Sequence, residues 1–130
     1  MIKVAAAVLV KGKHIFIARR RKNEKLGGKW EFPGGKVEQG ETLQACLERE
    51  MMEEFRIKIS VGRLIGESVC YYSHMAVHLF AFWAEWEAGI IEPNSHDECR
   101  WVKISELDDY DFAEADLPVV EKIQQAGNGV

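Results

Sequence analysis

Residues 35–57 read GKVEQGETLQACLEREMMEEFRI, a glycine-led polar turn running into an acidic amphipathic segment. Leu43, Leu47 and Met51 recur every four residues, with Cys46 and Phe55 close to the same side, which predicts a helix over 42–55. Thr42 is suited to cap its start. Glu50, Glu53 and Glu54 stand at i, i+3 and i+4 and so share one helix face. Like charges this close repel, and the arrangement costs stability unless a cation neutralises it. A hard divalent ion does that well, and magnesium shares its remaining positions with water and substrate phosphates. An ordinary solvated acidic face is the alternative, because glutamate is a good helix former, and the helix by itself leaves both readings open. Just upstream, Pro33-Gly34-Gly35 places flexible backbone where a carbonyl can complete a coordination sphere. Arg49 can orient the neighbouring Glu50 carboxylate, and Glu41 is placed to pair with Arg49.

Upstream of this segment, residues 2–10 (IKVAAAVLV) predict a buried strand. Lys11-Gly12-Lys13 predicts a tight turn and 14–20 (HIFIARR) a second strand of the same hairpin. Residues 21–29 are expected to be loop, Trp30 to Phe32 returns to the core, and Pro33-Gly34-Gly35 is expected to end regular structure. Downstream, residues 57–72 and 76–87 predict long strands, 88–97 a loop, 99–104 a short strand around Trp101, and about 117–125 a final helix. Strand-rich halves separated by one helix, with a second at the end, predict an α/β (α+β) sandwich around a mixed sheet, one domain over 1–130.

The 130-residue length suits one hydrophobic core. With 47% hydrophobic and 29% charged residues the composition is that of a globular protein. No apolar run approaches the roughly 20 residues of a membrane span, and the N-terminus lacks the regions of a signal peptide, so a cytoplasmic protein is expected. Cys46, Cys70 and Cys99 form no CxxC pair, which suggests neither a zinc site nor a disulfide framework; reduced thiols are expected. The net charge of −4 argues against polymeric nucleic acid as partner and is compatible with a small nucleotide whose phosphates are neutralised by metal.

Residues 35–57 resemble the Nudix box, G-x5-E-x7-R-E-U-x-E-E-x-G-U with U a bulky aliphatic residue. Gly35, Glu41, Arg49, Glu50, Met51, Glu53, Glu54 and Ile57 fall in register. The preceding Glu31-Phe32-Pro33-Gly34-Gly35 is similar to MutT-type members. One position departs: the box has glycine where this chain has Arg56. A non-glycine residue in the left-handed conformation that often follows a helix costs about 1 kcal/mol, or the helix ends differently.

The resemblance implies that Glu50, Glu53 and Glu54, with the Gly35 carbonyl, bind Mg²⁺, with Mn²⁺ able to replace it. It implies catalytic roles for Arg49, Glu53 and Glu54. The expected partner is a small nucleoside triphosphate, cleaved to monophosphate and pyrophosphate by a monomer or weak homodimer with no membrane and no polymeric nucleic acid involved. Arg20 and Lys36 are candidate phosphate contacts, although Arg20 also suits a surface position within Arg19-Arg20-Arg21. MutT-like relatives carry a further loop acid. Counting back six residues from Trp101 reaches Ser95, which leaves Asp97, Glu98 or neither in that role. Phe112 to Pro118 resembles a substrate-recognition segment. Asp116 there, where the oxidised-guanine enzyme has asparagine, suits an exocyclic amine if ionised and looks more like the CTP pyrophosphohydrolase branch. Phe32 and Tyr72 are candidates to stack on the base or to be core. His74, His78, Trp83, Trp86 and Trp101 are expected to be structural. The alternatives are another nucleoside diphosphate derivative as substrate, or a non-catalytic nucleotide-binding module of the same fold, which would be expected to have lost the glutamates retained here.

Overall fold

A computed structural model describes residues 1–128, so the last two residues of the expected 1–130 domain lie outside the described residues. Its strands are β1 (Ile2–Lys11), β2 (His14–Arg20), β3 (Trp30–Glu31), β4 (Gly34–Lys36), β5 (Lys58–Tyr72), β6 (Met75–Ala88) and β7 (His96–Lys103). Helix α1 spans Leu43–Phe55 and α2 spans Leu117–Asn128. Two 3-10 segments, Ile104–Asp109 and Glu114–Asp116, lead into α2.

The strands form one sheet in the order β3-β2-β1-β6-β5, with β4 also on β1 and β7 also on β2. The β1–β6 pair is parallel, Ile2 facing Val77 through to Val10 facing Glu85, and the other pairs are antiparallel. The sheet is therefore mixed, as expected. Alternation along β1 explains its apolar run. Ala5, Ala7 and Leu9 pack with Leu47, Met51 and Phe55 of α1, whereas Ala6 and Val8 pack with Val119 and Ile123 of α2. A strand covered on both faces reads as a continuous hydrophobic stretch, and the two helices enclose the sheet as the sandwich reading requires. Among the described residues, no helix is long and apolar enough to cross a membrane.

Helix α1 begins where expected. The Thr42 hydroxyl accepts a hydrogen bond from the Ala45 amide at 3.0 Å, satisfying one of the orphan donors of the first turn. It ends at Arg56, whose φ of 59° is left-handed and whose amide donates to the Met51 and Met52 carbonyls. Arg56 thus takes the conformation that the missing glycine would adopt freely. Its only ion pair among the described residues, to Glu92 at 4.0 Å, joins two mostly exposed side chains and contributes little. Arg56→Gly is therefore expected to stabilise the fold. Relief of about 1–2 kcal/mol of left-handed strain exceeds the roughly 0.4–1 kcal/mol cost of a freer unfolded chain. A Tm increase of a few degrees is expected by calorimetry in EDTA; a decrease would show that the Arg56 side chain outweighs its backbone strain.

Two expectations need correction. Pro33-Gly34-Gly35 does not end regular structure: Gly34–Lys36 forms β4, pairing Ala6 with Gly34, Ala5 with Gly35 and Val4 with Lys36. Glycine is what allows this, since a Cβ on Gly34 would lie 1.9 Å from the Ala5 carbonyl oxygen. The strand around Trp101 begins three residues earlier than expected, at His96, because β2 is long enough to pair with it up to Arg20.

Candidate active site

A cavity of about 570 Å³ opens beside β4, and its walls include Arg20, Phe32, Lys36, Tyr72 and Asp116, all five expected substrate contacts. Gly35 lines it too. Gly35 also faces α1: a Cβ there would lie 2.4 Å from the Glu50 carboxyl group. Gly35 thus borders both the cavity and the Glu50 carboxyl group of the acidic helix.

The cavity residues are held in different ways. Phe32 is buried and stacks obliquely on Phe112, with ring centroids 5.2 Å apart, so it is core and cavity wall at once. The Tyr72 hydroxyl accepts a hydrogen bond from the Ala115 amide at 3.3 Å. Burial raises this phenol to about 12, so it stays neutral. The Arg20 guanidinium donates to Glu31 Oε1 at 3.1 Å, Glu24 Oε2 at 3.3 Å and the Lys25 carbonyl at 2.9 Å. Lys36 is exposed at the rim.

Asp116 is only 6% exposed. Burial pushes its carboxyl well above the ordinary range and the Glu31 charge adds to this, while the Phe32 amide and Arg20 oppose. The base-reading expectation rested on an ionised carboxylate. Burial instead favours the neutral acid, which carries a donor as well as an acceptor.

On α1, Arg49 organises the carboxylates. Its Nε donates to Glu41 Oε2 at 2.7 Å and its Nη2 to Glu41 Oε1 at 3.0 Å, the pairing expected from the sequence. Nη1 bridges Glu50 at 2.9 Å and Glu53 at 3.2 Å. The Arg49 hydrogen bonds hold the Glu41 carboxyl down at about 2. Glu50 is pushed the other way by burial, with the Glu54 and Glu53 charges adding and Arg49 opposing. Glu54 Oε2 is buried without a partner among the described residues. The Cys46 thiol lies beneath the turn and donates to the Gly35 and Lys36 carbonyls at 3.5 and 3.4 Å. Burial raises it to about 11. Among the described residues, no three His, Cys, Asp or Glu side chains converge as a ready-made metal cage; the Arg49 guanidinium occupies the neutralising position between Glu50 and Glu53.

The loop candidates differ in their surroundings. Glu98 pairs with Arg19 at 3.4 Å and with Arg100, and both guanidinium groups lie over Trp30. Asp97 is exposed and Ser95 half-buried. Asn94 and Glu92 tie this loop to α1: the Asn94 Nδ2 donates to the Glu53 carbonyl at 2.7 Å, its amide to the Glu54 carbonyl at 3.0 Å and the Glu92 amide to the Phe55 carbonyl at 2.9 Å, satisfying orphan carbonyls of the last turn.

His78 bonds Glu67 at 2.8 Å and stacks on Phe80, and Trp83, Trp86 and Trp101 pack against the two cores, all as expected. His74, by contrast, lines the cavity from the β5–β6 turn. Sequence reasoning also passed over Glu31 and His96. Glu31 lines the cavity and accepts from His96 Nε2 at 2.9 Å. A charged residue between Trp30 and Phe32, both core, was the available signal for Glu31; His96 carried none.

The NUDIX domain family model matches residues 1–123. The chain belongs to the Nudix family. Among its Nudix relatives, the CTP pyrophosphohydrolase of Escherichia coli K12 is 33% identical over 121 residues, 93% of this chain and 90% of that protein. The 8-oxo-dGTP diphosphatase of the same organism is 32% identical over 115 residues, 85% of this chain and 86% of its own length. The solution structure of the E. coli ORF135 protein superposes with a TM-score of 0.89 at 31% identity, covering 99% of this chain and 92% of that one. Residues 35–57 lie within the span that this family model matches.

Proposed function

We propose that this Nudix hydrolase is a Mg²⁺-dependent nucleoside triphosphate pyrophosphohydrolase of the nucleotide pool, a single cytoplasmic domain acting as a monomer or weak homodimer. The observation that carries the reading is the shared Gly35. It borders both the cavity lined by Arg20, Phe32, Lys36, Tyr72 and Asp116 and the Glu50 carboxyl of α1, which supports the reading. The relatives named as acting on CTP and 8-oxo-dGTP make a pyrimidine or an oxidised purine triphosphate the substrate class to test first.

The residues present fit a hard cation. Glu54 has a buried oxygen with no partner among the described residues, Glu50 is half-buried beside two further carboxylates, and the absence of a side chain on Gly35 lets the Glu50 carboxyl lie close to that backbone. Glu50, Glu53, Glu54 and the Gly35 carbonyl would hold Mg²⁺ or Mn²⁺. When bound, the ion supplies charge neutralisation on the phosphates and Lewis-acid activation of water. The chain supplies the rest. Phe32 and Tyr72 flank the base, and Arg20 and Lys36 hold the phosphates. Arg49 keeps Glu41, Glu50 and Glu53 aligned. Water attacks phosphorus, its proton passes to Glu53 or Glu54, and the bridging P–O bond breaks to leave nucleoside monophosphate and pyrophosphate. Positioning and electrostatics account for most of such catalysis.

A panel of triphosphates incubated with Mg²⁺ tests this directly. Equal release of monophosphate and pyrophosphate is expected for at least one member; release of diphosphate and inorganic phosphate, or no turnover across the panel, would overturn the proposal. Mg²⁺ is also expected to raise the Tm of the wild type, since it binds the folded cluster and not the unfolded chain. An equal rise in a Glu50/Glu53/Glu54 triple-alanine variant would remove α1 as the site.

Asp116→Asn reports on base selection and on burial together. Only the ionised carboxylate opposes the O6 acceptor of 8-oxoguanine, whereas the amide carries donor and acceptor at every pH. The variant is therefore expected to shift kcat/KM toward 8-oxo-dGTP relative to CTP, by roughly tenfold above the raised pKa of Asp116 and by less below it. Linkage gives the stability sign. A carboxyl whose folded pKa is raised contributes fully below its unfolded pKa, about 4, and loses that contribution as pH rises through the folded pKa. The variant should thus gain Tm over the wild type as pH rises from 4 to 8. An unchanged substrate ratio at all pH values would limit Asp116 to a structural role.

A further inference from the structure

Arg20 reaches the cavity at the end of a chain of contacts that begins on the catalytic helix. His96 is the first residue of β7 and faces Arg20 across the β2–β7 ladder, at a bulge between Arg19 and Arg20. Bulges re-aim side chains, and here Arg20 turns to Glu31 while Arg19 turns to Glu98. The His96 ring lies flat on Phe55 of α1, with centroids 5.2 Å apart and an 18° interplanar angle. Its side chain is 8% exposed. Nδ1 is buried with no partner among the described residues, so the only polar group gripping this ring is Glu31, whose Oε2 accepts from Nε2 at 2.9 Å. The other Glu31 oxygen, Oε1, accepts from Arg20 Nη1 at 3.1 Å. Glu31 itself is only 15% exposed.

From this geometry we infer that His96 is a positioning residue. It holds Glu31, and Glu31 in turn sets the Arg20 guanidinium toward the phosphates of a nucleotide in the cavity. The inference rests on the proposed nucleotide site. A carboxylate with one oxygen fixed by a buried ring presents the other in one orientation, and a guanidinium bound to it loses freedom before any ligand arrives, which is where preorganised sites gain affinity. The remaining anchors of Arg20, Glu24 and the Lys25 carbonyl, belong to the exposed 21–29 loop. The Glu31–His96 arm is the one rooted in the core.

The test separates positioning from packing. His96→Phe keeps a flat ring for Phe55 and deletes the donor; His96→Gln restores a donor at a similar reach without the ring. Binding of a non-hydrolysable α,β-methylene nucleoside triphosphate is measured by calorimetry with Mg²⁺ for wild type, both variants, Arg20→Ala and the Arg20→Ala/His96→Phe double variant. His96→Phe is expected to weaken binding about tenfold, in line with loss of a charge-assisted hydrogen bond. His96→Gln should stay within about threefold of wild type, and the double variant should match Arg20→Ala alone, since His96 acts through Arg20. Wild-type affinity in His96→Phe, losses that multiply in the double variant, or no binding by the wild type would each overturn the inference. The hydrolysis panel is read separately. Binding that follows the expected pattern in a wild type that hydrolyses nothing sinks the proposed reaction alone, and hydrolysis with a flat binding series sinks the role of His96 alone.

Discussion

Glu53→Gln is expected to lower kcat by at least about a hundredfold, the lower end of what a positioned proton acceptor contributes, while leaving the fold intact. Glu53 is the most exposed of the metal-ligand candidates, with 58% of its side chain accessible, and its ion pair with Arg49 is 3.2 Å long. An exposed pair of this kind is worth at most about 1 kcal/mol, and its loss is offset by relief of repulsion from the neighbouring glutamates. Turnover in saturating Mg²⁺ and Tm in EDTA are measured together. Activity within a few-fold of wild type would remove Glu53 from the machinery. A collapse in Tm would show that the carboxylate serves the helix instead.

The adjacent glycines of β4 are expected to respond very differently to alanine. Gly34→Ala drives a Cβ to 1.9 Å from the Ala5 carbonyl oxygen and 2.9 Å from the Ala6 Cα. Both are backbone atoms of a strand buried on two faces, so the clash is relieved only by parting β4 from β1. A loss of roughly 4 kcal/mol or more is expected, a large share of the about 5–15 kcal/mol that holds a domain together. The three atoms that Gly35→Ala would meet first all belong to the Glu50 carboxyl group, from 2.4 Å, a flexible tip that can swing aside. That variant should unfold in urea within about 1 kcal/mol of wild type yet lose most of its Mg²⁺-dependent turnover, because Glu50 is displaced. Equal destabilisation of the two variants would contradict the different neighbours assigned to them.

These pairs also show which parts of the molecule were legible in the sequence. Helix α1, its Thr42 cap and the Arg49–Glu41 pair were readable because each depends on residues within a few turns of one another. The buried run of β1 and the mixed sheet followed from hydrophobic pattern and element order. Strand β4 was not readable: two glycines carry little strand propensity, and the strand exists only because β1 lies alongside. The five cavity residues were individual candidates in the sequence, and all of them line the cavity. The Glu31–His96 contact joins residues 65 positions apart through a bulge that no local pattern announces. The protonation of Asp116 depends on how much protein covers it, and its neighbours in the chain say nothing of that.

The parallel seam between β1 and β6 has a consequence for how the chain acquires its fold. Residue 2 waits for residue 77, and residue 10 for residue 85, so one whole edge of the N-terminal strand stays unsatisfied until more than half of the polypeptide has left the ribosome. Such high contact order slows folding, and an exposed apolar strand edge invites pairing with other chains. Nascent or truncated forms ending before Ala88 are therefore the species from which aggregation would begin, and a chaperone that shields residues 2–10 would be engaging the molecule at its most vulnerable stage.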